Sequence, residues 1–279
     1  MRIGCISNPI KTDAIDYMDN IINRYNLINL DIKDEKCDVI LVLGGDGTML
    51  RAIHKYMHHD VKFFGINFGT IGFLMNKIVD IDQLIQTIES ATEVSVPIIS
   101  NQIMDSKGII YELNGINELS VLRTSHNAAN LRISIDSVLR MDKLLADGIV
   151  ISTPIGSTAY NFSLHGQILP VESNLLSMMP VSPFRPRHWR GALISNKSSI
   201  TIDVLDHQVR TVNASVDFYT IQNVAKIESK INFDKKIKLL YDKDCNIHQK
   251  LLNEQFSDLC FNWNFAYIIL IYTFNAFEV

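Results

Sequence analysis

The sequence predicts an α/β N-terminal domain with a parallel sheet, joined to a mostly β, sandwich-like C-terminal domain. Three observations carry this prediction. Apolar runs alternate with helical spacings through residues 1–95, the pattern of strands and crossover helices that builds a parallel sheet. After Pro97 that pattern gives way to short alternating segments separated by turn residues, as in packed antiparallel sheets. Two apolar runs end in glycine-punctuated loops, Gly44-Gly45-Asp46-Gly47 and Asn67-Phe68-Gly69-Thr70-Ile71-Gly72, which is where α/β folds hold ligands.

The elements follow in chain order. Arg2 to Ser7 reads as a buried strand ending in the turn Asn8-Pro9. Asp13 to Tyr25 carries Ile15, Met18, Ile21 and Ile22 at helical spacing. Cys37 to Leu43 is a strand, and Thr48 to Met57 resumes as a helix after the glycine turn. Val61 to Ile66 is the next strand; Asp80 is placed to cap a helix bearing Ile81, Leu84, Ile85 and Ile88. From Pro97 to about Tyr241 the segments are β-like, among them Leu131–Ile135, Ser199–Val204 and Ala225–Glu228. The expected division is 1–97 for the α/β domain and 98–245 for the β-rich domain.

The 279-residue chain is 47% hydrophobic and 20% charged, a mixture that can bury a core. A net charge of −4 offers no footprint for nucleic acid. The cysteines at 5, 37, 245 and 260 have no C-x-x-C spacing and read as the reduced thiols of a cytoplasmic protein. Asn8 and Pro9 interrupt the N-terminal apolar stretch, so it does not read as a secretory signal. Residues 259–279 form a nearly continuous apolar extension of unknown role. Its length approaches a membrane span, yet Asn262, Asn264 and Asn275 lie inside it and no basic cluster follows. Packing on the body or on a partner ranks first, a disordered or aggregation-prone end second and a membrane anchor last.

Four segments can carry chemistry. At Gly44, Gly45, Gly47 and Thr48, a glycine turn after a strand lets backbone approach a phosphate, and the next helix offers free N–H groups and the positive end of its dipole. Asp46 in that turn is a carboxylate suited to binding magnesium or taking a proton from a hydroxyl. In the second loop Phe68 could lie against a base or ribose. The pair Asn117-Glu118 offers an amide to an adenine edge and a carboxylate to a ribose hydroxyl. The longest segment, Asp147 to Ser163, follows an apolar strand with Ser152, Ser157 and Thr158 as hydroxyls, Gly156 as a point of close approach and Tyr160 as a stacking ring. No G-x-x-x-x-G-K-[ST], G-x-G-x-x-G or G-x-S-x-G occurs, which sets aside the P-loop, the dinucleotide fingerprint and the nucleophile elbow. His165 and His188 then have no triad to join.

Taken together and in this order, the GGDG turn, the N-x-G-x-x-G-F-L loop, the Asn-Glu pair and the D-G-x-x-x-S-T-P-x-G-S-T-A-Y block resemble the NAD kinase family over about residues 1–257. GGDG turns also occur in diacylglycerol kinases and phosphofructokinases; the last block is the specific one. Segments 165–170 and 181–187 resemble the alphaproteobacterial branch. The resemblance implies phosphorylation of the adenosine ribose 2′-hydroxyl of NAD by ATP with Mg2+, giving NADP in the cytoplasm. It implies a chain that returns to the first domain at about 246–258, and a homodimer or homotetramer. It makes Asp46 the catalytic base, with Gly47 at the ribose and Asn117 and Glu118 on the adenosine half. Thr158, Ala159, Tyr160, Asn161, Phe162 and Ser163 form the block around the adenine. Asp147 reaches the nicotinamide half of a dinucleotide held mainly by a partner subunit. No metal ligand is assigned among the side chains. Leu145 stands where some relatives carry Arg facing the NADP phosphate, and Ile155 where Thr is frequent.

Overall fold

The computed structural model describes residues 1–70, 72–245 and 247–256; the apolar extension 259–279 lies outside them. The first part runs β1 (Ile3–Ser7), α1 (Thr12–Tyr25), β2 (Ile28–Asn29), β3 (Val39–Gly44), α2 (Asp46–Tyr56), β4 (Lys62–Asn67) and, after a 3-10 turn at Ile81–Gln83, α3 (Leu84–Ser90). β1, β3 and β4 pair in parallel, with β2 beside β1. Every residue of β3 is buried, as a strand covered on both faces requires. On one face Ile40, Val42 and Phe63 meet Met49, Ala52, Ile53 and Tyr56 of α2. On the other, Val39, Leu41 and Phe64 meet Ala14, Met18 and Ile21 of α1 and Leu84 and Ile88 of α3. Asp80 caps the 3-10 turn Ile81–Gln83 rather than α3 itself, its carboxylate accepting the Asp82 N–H at 2.9 Å.

The second part runs β5 (Thr92–Asp105), β6 (Ile110–Gly115), β7 (Glu118–Arg123), β8 (Ala129–Ile135), β9 (Val138–Ala146), β10 (Gly148–Ser152), a 3-10 turn at Ile155–Thr158 and the short helix α4 (Tyr160–Ser163). It continues with β11 (Leu175–Val181), β12 (Ala192–Ser195), β13 (Ile200–Val204), β14 (Val212–Val216), β15 (Tyr219–Ile221), β16 (Val224–Tyr241) and α5 (Ile247–Phe256). β12, β11, β10, β7, β14 and β15 make a six-stranded sheet in that order. Its inner face packs Leu119, Val121, Ile149, Ile151 and Ala214 against Leu131, Ile133, Ile200, Ile202 and Ile227 of the other sheet. This is the sandwich the alternating pattern predicts.

One ten-stranded sheet runs through both parts, while the six-stranded sheet lies wholly in the second. β16 pairs antiparallel with β5 from Val224 to Tyr241, and its last residues pair in parallel with β4. The change of pattern at Pro97 therefore falls inside a strand. Pro97 faces Lys236 where the register of β16 jumps from Asn232; a residue without an N–H is tolerated at such a bulge. Ile237, Leu239 and Tyr241 of β16 and Ile247 and Leu251 of α5 lie in the same core cluster as α2. Among the described residues no helix is long and apolar enough to cross a membrane.

Candidate active site

α2 begins two residues earlier than its apolar spacing suggests, so Asp46 and Gly47 occupy its first turn. Gly45 is the N-cap and no side chain caps this end. The N–H groups of Thr48 and Met49 turn back to the Gly45 carbonyl at 2.9 and 3.1 Å. The Gly47 edge is exposed. An open helix N-terminus of this kind presents N–H groups and a positive partial charge to an anion.

The second loop folds over this end. Phe68 N–H donates to the Gly44 carbonyl at 2.7 Å. The half-exposed Asp46 carboxylate accepts two backbone N–H groups, from Phe73 at Oδ2 and from Leu74 at Oδ1, each at 2.9 Å. Those donors are aimed by Gly72, whose φ of +85° is a left-handed conformation that a side chain would strain. They are held from beneath: Lys250 of α5 donates to the carbonyls of Gly72 and Met75, and Tyr241 to that of Phe73 at 3.4 Å. Burial pushes the Tyr241 hydroxyl far above its ordinary range, so it stays a donor. Two polar residues missed in the sequence complete the support: Asn76 bonds the carbonyls of Gly65 and Leu240, tying β4 to the end of β16, and Asn8 reaches the Thr48 hydroxyl at 3.4 Å.

The Asn117-Glu118 pair opens β7 and is roofed by the turn after β10. Thr153 N–H donates to the Asn117 carbonyl at 2.9 Å and its hydroxyl to that of Ile116 at 2.6 Å. Gly156 sits so close that a Cβ there would lie 2.1 Å from the Asn117 carbonyl oxygen. Three oxygens here are buried without any protein partner: Asn117 Oδ1, Glu118 Oε2 and Ser152 Oγ, the last two on register-paired residues. Buried polar atoms are nearly always satisfied by protein, ligand or ordered water, so these three oxygens are acceptors open to a polar partner. Burial, and then the negative charge of Asp217, push the Glu118 carboxyl up to about 8.

The other sequence candidates distribute unevenly. Thr158, Ala159 and Tyr160 are half-buried and Ser163 is exposed, on the turn that roofs Asn117. Asn161 is fully buried and its amide is spent on the protein: it donates to the Ser157 and Gln167 carbonyls and accepts from Ser177 Oγ. These bonds shape the turn. Phe162 packs on the α2 core cluster. Phe68 is edge-on to Tyr17 at 5.5 Å, on the α1 side of the sheet. The Thr48 hydroxyl is buried under the Gly44 turn. Asp147 precedes β10 at the end remote from Ser152, a strand length of about 17 Å, and pairs with Arg123 at 2.6 Å. Within one chain it does not join the Asp46 cluster. Leu145 is tied by its backbone to Arg185, at 2.8 Å between Leu145 N and the Arg185 carbonyl.

The model for the N-terminal domain of ATP-NAD kinases matches residues 3–95, and that for the C-terminal domain residues 116–227. The NAD kinase of Rickettsia rickettsii (strain Sheila Smith) is 42% identical over 224 residues, 80% of this chain and 88% of the relative. That of Rickettsia bellii (strain OSU 85-389) is 43% identical over 222 residues, 80% and 87%. Among solved structures, yeast NADH kinase complexed with NADH superimposes with a TM-score of 0.80 at 20% identity, covering 94% of this chain and 88% of that one. An NAD kinase from Archaeoglobus fulgidus in complex with ATP gives 0.72 at 21% identity, covering 91% and 98%. These two likenesses concern the fold.

Proposed function

Because the chain belongs to the NAD kinase family, we propose that it transfers the terminal phosphoryl group of ATP to the adenosine ribose 2′-hydroxyl of NAD, forming NADP with Mg2+. The observation that carries this reading is the Asp46 carboxylate. It sits at an uncapped helix N-terminus and is fixed in direction by two backbone N–H groups. Each of its oxygens keeps a lone pair free to accept a hydroxyl proton.

Phosphoryl transfer asks little covalent chemistry of a protein and much positioning. The free N–H groups of α2 would hold the phosphates and take up charge as the bond to the leaving oxygen lengthens. Asp46 would orient the 2′-hydroxyl in line and receive its proton. Asn117 Oδ1 and Glu118 Oε2 would bond the donors of the adenosine half, the turn 158–160 closing over it. Among the described residues no three His, Cys, Asp or Glu side chains form a metal cage. One half-exposed carboxylate beside a phosphate site fits Mg2+, which is commonly held by one or two carboxylates plus substrate phosphates. Bound there it would neutralise the phosphate oxygens. The remote, half-exposed Asp147 supports a homodimer or homotetramer in which it reaches a dinucleotide on a partner.

The test incubates the purified protein with NAD, ATP and Mg2+ and reads NADP with an NADP-specific dehydrogenase. Wild type forms NADP. Asp46→Asn loses at least about 10³-fold in kcat, on the scale of a positioned general base plus orientation, while NAD still binds by calorimetry. Retained turnover in that variant overturns the assignment.

A further inference from the structure

We propose that His54 and Asp217 form a buried clasp between the two halves of the molecule, positioning the Asn117-Glu118 segment against the helix that carries Asp46. The inference rests on the kinase reading for the identity of the ligand, and on the geometry alone for the clasp.

Asp217 begins the two-residue turn between β14 and β15, where Val216 pairs with Tyr219, and has a left-handed φ of 52°. Its side chain is fully buried. The carboxylate accepts three consecutive backbone N–H groups: Ile116 at 2.9 Å, Asn117 at 2.9 Å and Glu118 at 3.3 Å. In return, Asp217 N–H donates to the Glu118 carbonyl at 3.0 Å. One acid thus fixes the backbone of the very segment whose side chains carry orphan oxygens.

The remaining contact crosses to the other half. His54 Nε2 lies 2.6 Å from Asp217 Oδ2, and the His54 side chain is only 5% exposed. His54 stands on α2 eight residues after Asp46, about 12 Å along the same rigid helix. The rings of Phe218 and Tyr219 meet it edge-on at 4.8 and 5.3 Å and shield the pair. A buried polar contact is seldom more stabilising than apolar residues in its place; its best-attested use is to fix one register. Here that register is the placement of the adenosine-binding segment relative to the base. His54 and Asp217 touch no substrate in this scheme and are positioning residues.

The test compares two amides of different reach. His54→Gln can still place a donor near Oδ2; His54→Asn is one methylene shorter and cannot. Asp217→Asn breaks the pair from the other side. On full-length variants shown to be folded by thermal melts, KM for NAD and KM for ATP are measured separately, with NAD affinity by calorimetry. The expected result is a rise of at least about tenfold in KM and Kd for NAD in His54→Asn and Asp217→Asn, the scale for losing a hydrogen bond to a charged group. His54→Gln stays within about threefold of wild type, and KM for ATP moves less than about twofold in all three. The double variant is no worse than the poorer single variant, as for residues acting as one unit. Unchanged NAD affinity in folded His54→Asn, an equal rise in both KM values, or additive losses overturn the clasp. Wild type that binds NAD without forming NADP overturns the kinase reading instead, and the calorimetric comparison still decides the clasp.

Discussion

Glu118 shows how a single side chain records its purpose in its energetics. Burial, then the charge of Asp217, lift its carboxyl from an ordinary 4.5 to about 8. The folded protein therefore binds a proton that the unfolded chain has released across that interval. Stability from this group is complete below about 4.5 and is lost as pH rises through 8. Glu118→Gln, neutral at every pH, should gain several kcal/mol, at most about 5, over wild type at pH 8.5 in denaturant melts and almost nothing at pH 4.5. An equal gain at both pH values would mean that the carboxylate is not what costs. Asp46, Gly47, Asn117 and Glu118 could be singled out as candidates because the motifs that hold them are local in the chain. His54, Asp217, Lys250 and Tyr241 could not be: each acts on a partner 99 to 178 residues away, and no spacing rule spans such gaps. The part Asn161 plays in holding the turn could not be read for a related reason: a polar turn residue looks the same in sequence whatever it faces, and here its amide bonds three protein groups.

At the scale of elements, the site is three loops held at fixed distances by contacts that leave no room. The turn 155–158 lies on β7 through Gly156, with 2.1 Å between a built Cβ and the Asn117 carbonyl oxygen. Gly156→Ala must lift that turn away from Asn117, so NAD affinity should fall at least about tenfold, while far-UV circular dichroism stays native. Wild-type affinity would show that the turn does not close on the ligand. α5 acts from below: Lys250→Met removes the ammonium that ties the carbonyls of Gly72 and Met75 yet keeps the packing of the stem. The loop that aims Asp46 should then loosen and kcat fall, with KM for NAD nearly unchanged; a shift in KM alone would place α5 elsewhere in the mechanism. The strands around the first glycine turn were readable because buried parallel strands are continuous apolar runs. β5 and β16 were harder. Pro97 breaks the first in sequence though not in space, and Asn232 to Lys236 interrupts the second with a register shift. A break in pattern and a bulge look alike until the partner strand is known.

The whole molecule hangs on those same two strands. β5 and β16 run together from the sandwich into the parallel sheet. The cluster around α2 also draws on both halves: Ile116, Ile155, Ile168 and Val171 pack with Met49, Ile53 and Tyr56. A chain of 279 residues would ordinarily unfold in steps, domain by domain. Here neither half can lose its core without exposing the other's. Unfolding should be a single transition, and the two tryptophans, Trp189 and Trp263, allow the check. Trp189 packs against the sandwich core; with Trp263→Phe its emission reports that half alone, while circular dichroism follows helices that lie mostly in the other. The two curves should coincide in denaturant. Ile237→Ala, a cavity in the α2 cluster costing ~2–4 kcal/mol, should move both midpoints equally although it lies outside the sandwich core. Were the tryptophan signal to hold its midpoint while the helical signal shifts, the strands would be a hinge between independent domains. The site would then owe its alignment to the His54–Asp217 clasp and the α2 packing, without a rigid spine behind them.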